Sequence, residues 1–151
     1  MGQVATLTRI NKLQFEEVMD LEIHPSTFEE QIYVDKNWEA IMYILGNGFI
    51  GREPTVNLFM PKNIIVTYED EYMQDGIRYH SELEINELHQ ILENFPINEA
   101  VDKVDLDDMN KKTAYPTSAS DLGLIKDQIN EIKLMFANAV KEGGAIIGNI
   151  G

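Results

Sequence analysis

Metal ligation is the first chemistry that the residue types permit. The chain carries three histidines, His24, His80 and His89, and no cysteine. His80 and His89 stand near Glu82 and Glu84, so an imidazole–carboxylate site is the pairing to weigh. No two histidines are four residues apart and no H-E-x-x-H sequence occurs, so a surface histidine among carboxylates is the plainer expectation. DKVDLDDMN (102–110) invites a calcium reading because hard cations take oxygen ligands. Counted from Asp105, that loop has Asp107 third, but Met109 fifth and Asn110 where the turn glycine belongs. Its twelfth residue is Pro116, where a calcium loop has glutamate. No metal and no cofactor are expected.

Nucleophilic and phosphate-binding chemistry find less. G-x-S-x-G, G-x-x-x-x-G-K-[ST] and G-x-G-x-x-G are all absent, and NGFIG (47–51) lacks the lysine of a phosphate loop. Carboxylates are so numerous that no pair stands out for acid–base work, and no catalytic residue is assigned. Tyr68, Tyr72 and Tyr79 lie among acids, which suits cross-strand packing better than base stacking. One small constellation remains. In VDKNWEAIMYILG (34–46), Asp35 is placed to cap a helix and Trp38 to face the core, which leaves Lys36 without a local explanation. If the start of that helix meets the Tyr115-Pro116 connection, then Asp35, Lys36, Trp38 and Tyr115 form a ligand site. Lys36 would hold an anion there and Tyr115 would orient it.

The elements that must position these residues follow from periodicity. QVATLTRI (3–10) alternates as a strand, and Asn11 with Gln14 reads as a capping box before a helix bearing Phe15, Val18 and Met19. His24-Pro25 interrupts the chain, and Ser26 or Thr27 can restart a short turn. Trp38, Ile41, Met42 and Leu45 share one helical face, with Gly46 as the expected left-handed residue after it. Residues 46–63 read as a loop that reaches the core through Phe49, Ile50, Leu58 and Phe59. Strands are expected over 64–72 and 77–83, with Asp75-Gly76 turning between them. Ile85, Leu88, Leu92 and Phe95 mark a helix ended by Pro96, and two short helices follow near 98–104 and 105–112. Ser118 or Ser120 caps the longest helix, about 121–142, whose apolar set is Leu122, Ile125, Ile129, Ile132, Phe136 and Val140. AIIGNIG closes the chain as a last strand. Strands and helices are interspersed without strict alternation, which gives an α+β class. The expected architecture is a single domain over 1–151, with a small mostly antiparallel sheet packed by several helices, including a long C-terminal one.

Three places in this order resemble a known family. They are the D-K-x-W helix ending in L-G (Asp35, Lys36, Trp38, Leu45, Gly46), the Tyr115-Pro116 pair after an acidic helical region, and the long last helix running into EGGAIIGNI (142–150). With the glycine-rich NGFIG and the strand-to-helix stretch IRYHSELEINELHQIL, the set is similar to the YfbM-like family of bacterial proteins of unknown function. The resemblance covers nearly the whole chain. It implies a small single-domain α+β protein, bacterial or phage-borne and cytosolic, and supplies no catalytic mechanism.

Charge narrows the partners. The net charge is −14 over 151 residues, so nucleic acid and anionic membrane surfaces would be repelled. No apolar run approaches the roughly 20 residues that span a bilayer, and the N-terminus lacks the pattern of a signal peptide. With no cysteine, a cytoplasmic location is expected. Between Glu69 and Asp108 there are 13 acidic residues against two basic ones, a net −11 over 40 residues. Such a run is a solvated face or a docking surface for a basic protein. The functional expectation is therefore a non-catalytic protein-binding module, with an immunity-type inhibitor of a basic partner as its sharpest form. Its working residues would include Glu69, Asp70, Glu71, Asp105, Asp107 and Asp108. The alternative is a small-molecule-binding protein or small enzyme centred on Lys36 and Tyr115.

Overall fold

The computed structural model describes residues 3–19, 28–65 and 77–151. Among these, five strands form one antiparallel sheet, β1 (Ala5–Ile10), β2 (Glu30–Asp35), β3 (Asn63–Ile65), β4 (Ile77–His80) and β5 (Ala145–Ile150), in the order β2-β1-β5-β4-β3. Six helices accompany them: α1 (Lys12–Met19), α2 (Trp38–Leu45), α3 (Glu82–Asn94), α4 (Ile97–Asp102), α5 (Leu106–Lys112) and α6 (Leu122–Glu142). The α+β single-domain architecture with a long last helix is the one the periodicity predicts.

Alternation along the strands divides the core. Leu7, Ile32, Val34 and Ile146 point to one face, where Ile41, Leu88, Ile129, Ile132 and Phe136 of the helices meet them. Ile10, Ala145, Ile65 and Ile77 point to the other, joined there by Phe15 of α1, whose ring lies 5.1 Å from that of Tyr79. α6 packs against α3 and α4 and also crosses β2, so it is the spine of the helical layer.

Local rules explain most boundaries. Asn11 accepts from Gln14 N at 2.8 Å while Gln14 Oε1 accepts from Asn11 N at 2.9 Å, the expected capping box of α1. Glu84 accepts from Ser81 N at 3.1 Å, so a second capping box starts α3 and the fourth strand stops at His80 instead of running to 83. Ser118 and Asp121 pair likewise in a short 3₁₀ turn, Ala119–Asp121, that leads into α6. Gly144 has a φ of 100°, and a Cβ on it would collide with the Ile10 carbonyl oxygen, so glycine is required where the chain turns from α6 into β5.

Several expectations are corrected. β2 was not expected: only Ile32 and Val34 face inward, a signal two residues deep. Its presence displaces Asp35 from the role of helix cap. Asp35 ends the strand at a positive φ of 52°, and Asn37 stands before α2. Gly46 is not left-handed, since its φ is −88°; it is needed because a Cβ would strike the Phe49 carbonyl oxygen. Phe49 is not a core residue but 57% exposed, and Val140 on α6 is also exposed, its place in the stripe taken by Met135 and Ala139. The remainder of the expected 64–72 strand, the Asp75-Gly76 turn, His24, Ser26, Thr27, Tyr68, Tyr72 and the side chains of Val18 and Met19 lie outside the described residues.

Candidate functional site

The first sequence-predicted site assembles in part. Lys36 Nζ sits 5.1 Å from the centroid of the Tyr115 ring, so the start of α2 and the 113–117 connection do meet. Glu39 draws them together by accepting from Ala114 N at 3.0 Å. Asn110 and Thr117 fix the far end of the connection through two hydrogen bonds, of 2.9 and 2.8 Å. Trp38 packs against the core and its indole N–H donates to the Gln3 carbonyl at 3.1 Å, so it serves packing. Asp35 makes no side-chain contact with Lys36, Trp38 or Tyr115 among those described. Lys36 is exposed, and the contact has the character of an open surface cation–π pair, worth about 0.5–1 kcal/mol.

A tighter cluster lies beside the glycine-rich loop and was not foreseen. The Tyr43 hydroxyl donates to Asp108 Oδ2 at 2.7 Å, and Lys112 Nζ is 3.0 Å from the same oxygen. Lys112 also donates to the Gly48 carbonyl at 3.1 Å and stands over the rings of Tyr43 and Phe49. Burial and the bond to Asp108 push the Tyr43 phenol up to about 12, while the Tyr43 and Lys112 bonds hold the Asp108 carboxyl below its ordinary range. Arg52 covers the other exposed part of this corner, 4.9 Å from the Phe49 ring centroid. Each cation here is committed to an aromatic face or an oxygen, so the arrangement pins the loop to α5.

The acidic set divides on inspection of its contacts. Glu69, Asp70 and Glu71 lie outside the described residues. Asp105 caps α5 by accepting from Asp108 N at 3.1 Å, and Asp108 is held as above, so neither is a free docking group. Asp107 is exposed, and so are Glu82, Glu87, Glu99 and Asp102; none of the five makes a side-chain hydrogen bond or ion pair with another described residue. Residues 82–112 carry nine acids and three bases, a net −6, whereas the other described residues carry eleven acids and nine bases. Among the described residues the acidity is thus concentrated on three consecutive helices, α3 to α5.

Among the described residues no group of three histidine or carboxylate side chains could hold an ion, so His80 and His89 do not converge with Glu82 or Glu84. His80 is not on the surface. It is 1% exposed, its ring edges against Phe136 at 5.7 Å, and Nε2 lies 2.8 Å from the Leu58 carbonyl oxygen. The signal for this was in the strand register: His80 pairs with Ile146, so it shares that residue's inward face. Burial pushes its pKa down, against the opposing hydrogen bond to Leu58 and field of Glu84. His89 is half-buried on α3, with Nδ1 3.9 Å from Glu93. A second buried titratable group, Arg9, bridges Glu30 of β2 at 2.6 Å and Glu142 of α6 at 2.8 Å. It ties the sheet to the spine helix, and sequence reading had no signal for it beyond a lone arginine in a strand.

Comparison with known proteins supplies the lineage. No curated protein matches the chain. Among solved structures, the chain is similar to one described as the crystal structure of a protein of unknown function, YfbM from Escherichia coli, at 15% identity and a TM-score of 0.65. The likeness covers 95% of this chain and 97% of that one, so the two share a fold over nearly their whole length. A family described as "Domain of unknown function (DUF1877)" matches residues 1–148. The YfbM-like resemblance drawn from D-K-x-W, Y-P and EGGAIIGNI is thereby upheld, and the chain belongs to the DUF1877 family.

Proposed function

We propose that this protein is a non-catalytic binding module that engages a basic partner protein through the acidic layer formed by α3, α4 and α5. The observation that carries the reading is the excess of charge on residues 82–112, a net −6 against −2 for the other described residues, where Glu82, Glu87, Glu99, Asp102 and Asp107 stand exposed with no ion pair among the described residues. Carboxylates so placed attract a cationic surface and speed its encounter. An immunity-type inhibitor of a basic toxin is the most specific form of this function. The Lys36–Tyr115 corner offers a second reading, a surface station for one small anion, supported by the 5.1 Å approach of the two side chains.

The test uses the chain immobilised beside a variant in which Glu87 and Glu99 become Gln and Asp102 and Asp107 become Asn. Wild type should retain a basic protein that is released steeply between about 0.05 and 0.3 M salt, because exposed charge pairs are screened over that range. The fourfold variant should retain little of it. Equal capture by both chains, or a complex indifferent to salt, would remove the acidic layer from the function.

A further inference from the structure

The glycine-rich loop after α2 borders a concavity of about 740 Å³, lined by Gly48, Phe49, Ile50, Gly51, Arg52 and Lys112. Among the described residues no carboxylate lines it, although acids outnumber bases 26 to 12 in the chain. Apart from the two cations, its side chains are the exposed Phe49 ring and Ile50. The cations differ in what they have left to give. Lys112 Nζ, 5.6 Å from the centroid of the Phe49 ring, is shared between Asp108 and the Gly48 carbonyl. Arg52 lies 4.9 Å from the same centroid, and its side-chain N–H donors meet no acceptor among the described residues. Its neighbour Glu53 is taken by Lys62 at 2.9 Å. The backbone that presents these groups is fixed. Gly48 N–H donates to the Tyr43 carbonyl at 2.9 Å, and Arg52 N–H to the Phe49 carbonyl at 3.3 Å. The Arg52 carbonyl accepts from Val56 N at 2.8 Å and from Thr55 Oγ1 at 3.0 Å. The open ring and the open guanidinium therefore belong to a preformed loop, as ligand sites usually require.

We infer that this concavity is a binding site for a small aromatic carboxylate, whose head group accepts from Arg52 and whose ring lies against Phe49 and Ile50. The planar fork of a guanidinium matches two carboxylate oxygens, and an exposed aromatic ring favours an offset or edge-on partner. An ammonium ligand would meet two cations and no carboxylate on the lining. An inorganic anion would satisfy Arg52 and leave the apolar wall uncovered. An acidic macromolecule would bring many charges against a net −14, whereas one carboxylate brings a single charge. The site uses none of Glu82, Glu87, Glu99, Asp102 and Asp107, so it stands or falls independently of the surface proposed for a basic partner.

Benzoate and 2-naphthoate are the probes. Acetate is the control with the charge and no ring, and benzyl alcohol the control with the ring and no charge. Each is titrated into the protein at neutral pH and about 0.15 M salt while the Arg52 Nε–H and the Gly48 and Gly51 amide resonances are followed. The aromatic carboxylates should shift all three saturably along one binding curve. Acetate and benzyl alcohol should each bind about fivefold or more weakly. Arg52→Gln, followed through the two glycine amides, should weaken benzoate about fivefold or more, the loss of a charge-assisted hydrogen bond. Phe49→Ala should weaken it about three- to tenfold. Both side chains are exposed, so neither change removes core packing. Lys141→Gln removes one positive charge from the last turn of α6 and should leave the affinity within about twofold. The inference is overturned if the aromatic carboxylates give no saturable shift, or if acetate or benzyl alcohol binds as well as they do. It is equally overturned if Arg52→Gln or Phe49→Ala binds them unchanged, or if Lys141→Gln weakens them as much as Arg52→Gln does.

Discussion

A neutral imidazole in the core ties stability to pH through a single residue. In the unfolded chain the His80 ring takes up a proton near pH ~6.5, whereas in the folded chain burial holds its pKa lower. Below about 6.5 the unfolded state therefore binds more protons, and stability falls as the pH falls, until the folded ring also protonates. Urea midpoints measured from about pH 7 down to about pH 5.5 should decline, and the decline should be shallower in His80→Phe. A midpoint slope identical in both chains would mean that another group sets the dependence. Tyr43 gives a complementary reading at high pH. Its phenol ionises only at about 12, and Tyr43→Phe should let the Asp108 carboxyl titrate at a higher pH than in wild type, as followed by carboxyl ¹³C shifts. An unchanged Asp108 titration in that variant would show that Lys112 alone holds it. Neither residue was legible from the sequence in its actual role. Tyr43 sits between the stripe positions Met42 and Leu45 and is drawn inward by a partner 65 residues away, which no local pattern encodes.

Elements were legible in proportion to how many of their residues repeat one pattern. α6 is 21 residues long, and Ile125, Ile129, Ile132 and Phe136 are enough to declare its buried face even though Val140 falls outside it. α3 announces itself twice, by its stripe and by Ser81 with Glu84. β2 offers only Ile32 and Val34, and the neighbouring D-K-N-W has the pattern of a helix start, which masks the strand and puts Asp35 in a cap position that Asn37 takes in the structure. What holds β2 is non-local: registry with β1, and the Arg9 bridge that joins Glu30 to Glu142. Arg9 is charged in the fold because the bonds to Glu30 and Glu142 outweigh the cost of burial. Arg9→Ala should thus leave Glu30 partly buried without its cation and cost about 3 kcal/mol in denaturant unfolding, the range for breaking a buried pair from one side. A cost under about 1 kcal/mol would reduce the bridge to a surface pair. Just past the same end of α6, Gly144→Ala places a Cβ at a φ of 100° and against Ile10, so a loss of about 2 kcal/mol or more is expected from the same measurement.

The charge of the whole molecule is the scale on which the proposed function rests, and it makes a prediction that needs no partner. A net −14 repels itself, and among the described residues the excess is greatest over 82–112, where nine acids stand against three bases. The screening length shrinks from about 30 Å at 0.01 M salt to about 8 Å at 0.15 M, so the thermal midpoint should rise over that interval. Clustering, as opposed to total charge, is separated by two variants of equal net change. One neutralises Glu87, Glu99, Asp102 and Asp107 on α3, α4 and α5; the other neutralises Glu16, Glu17, Asp127 and Glu131, all exposed, on α1 and α6. On α6 the acids alternate with Lys126 and Lys133, so removing them gives up attraction along with repulsion. The first variant should raise the low-salt midpoint and flatten its salt dependence; the second should do neither to the same degree. If both variants respond alike, the charge acts as a uniform shell and the acidic layer has no special field with which to draw a cationic partner. If the first alone responds, the destabilising repulsion sits on the surface proposed to bind, and a basic protein seated there would relieve it, so that partner binding and folding stability are coupled through the same carboxylates.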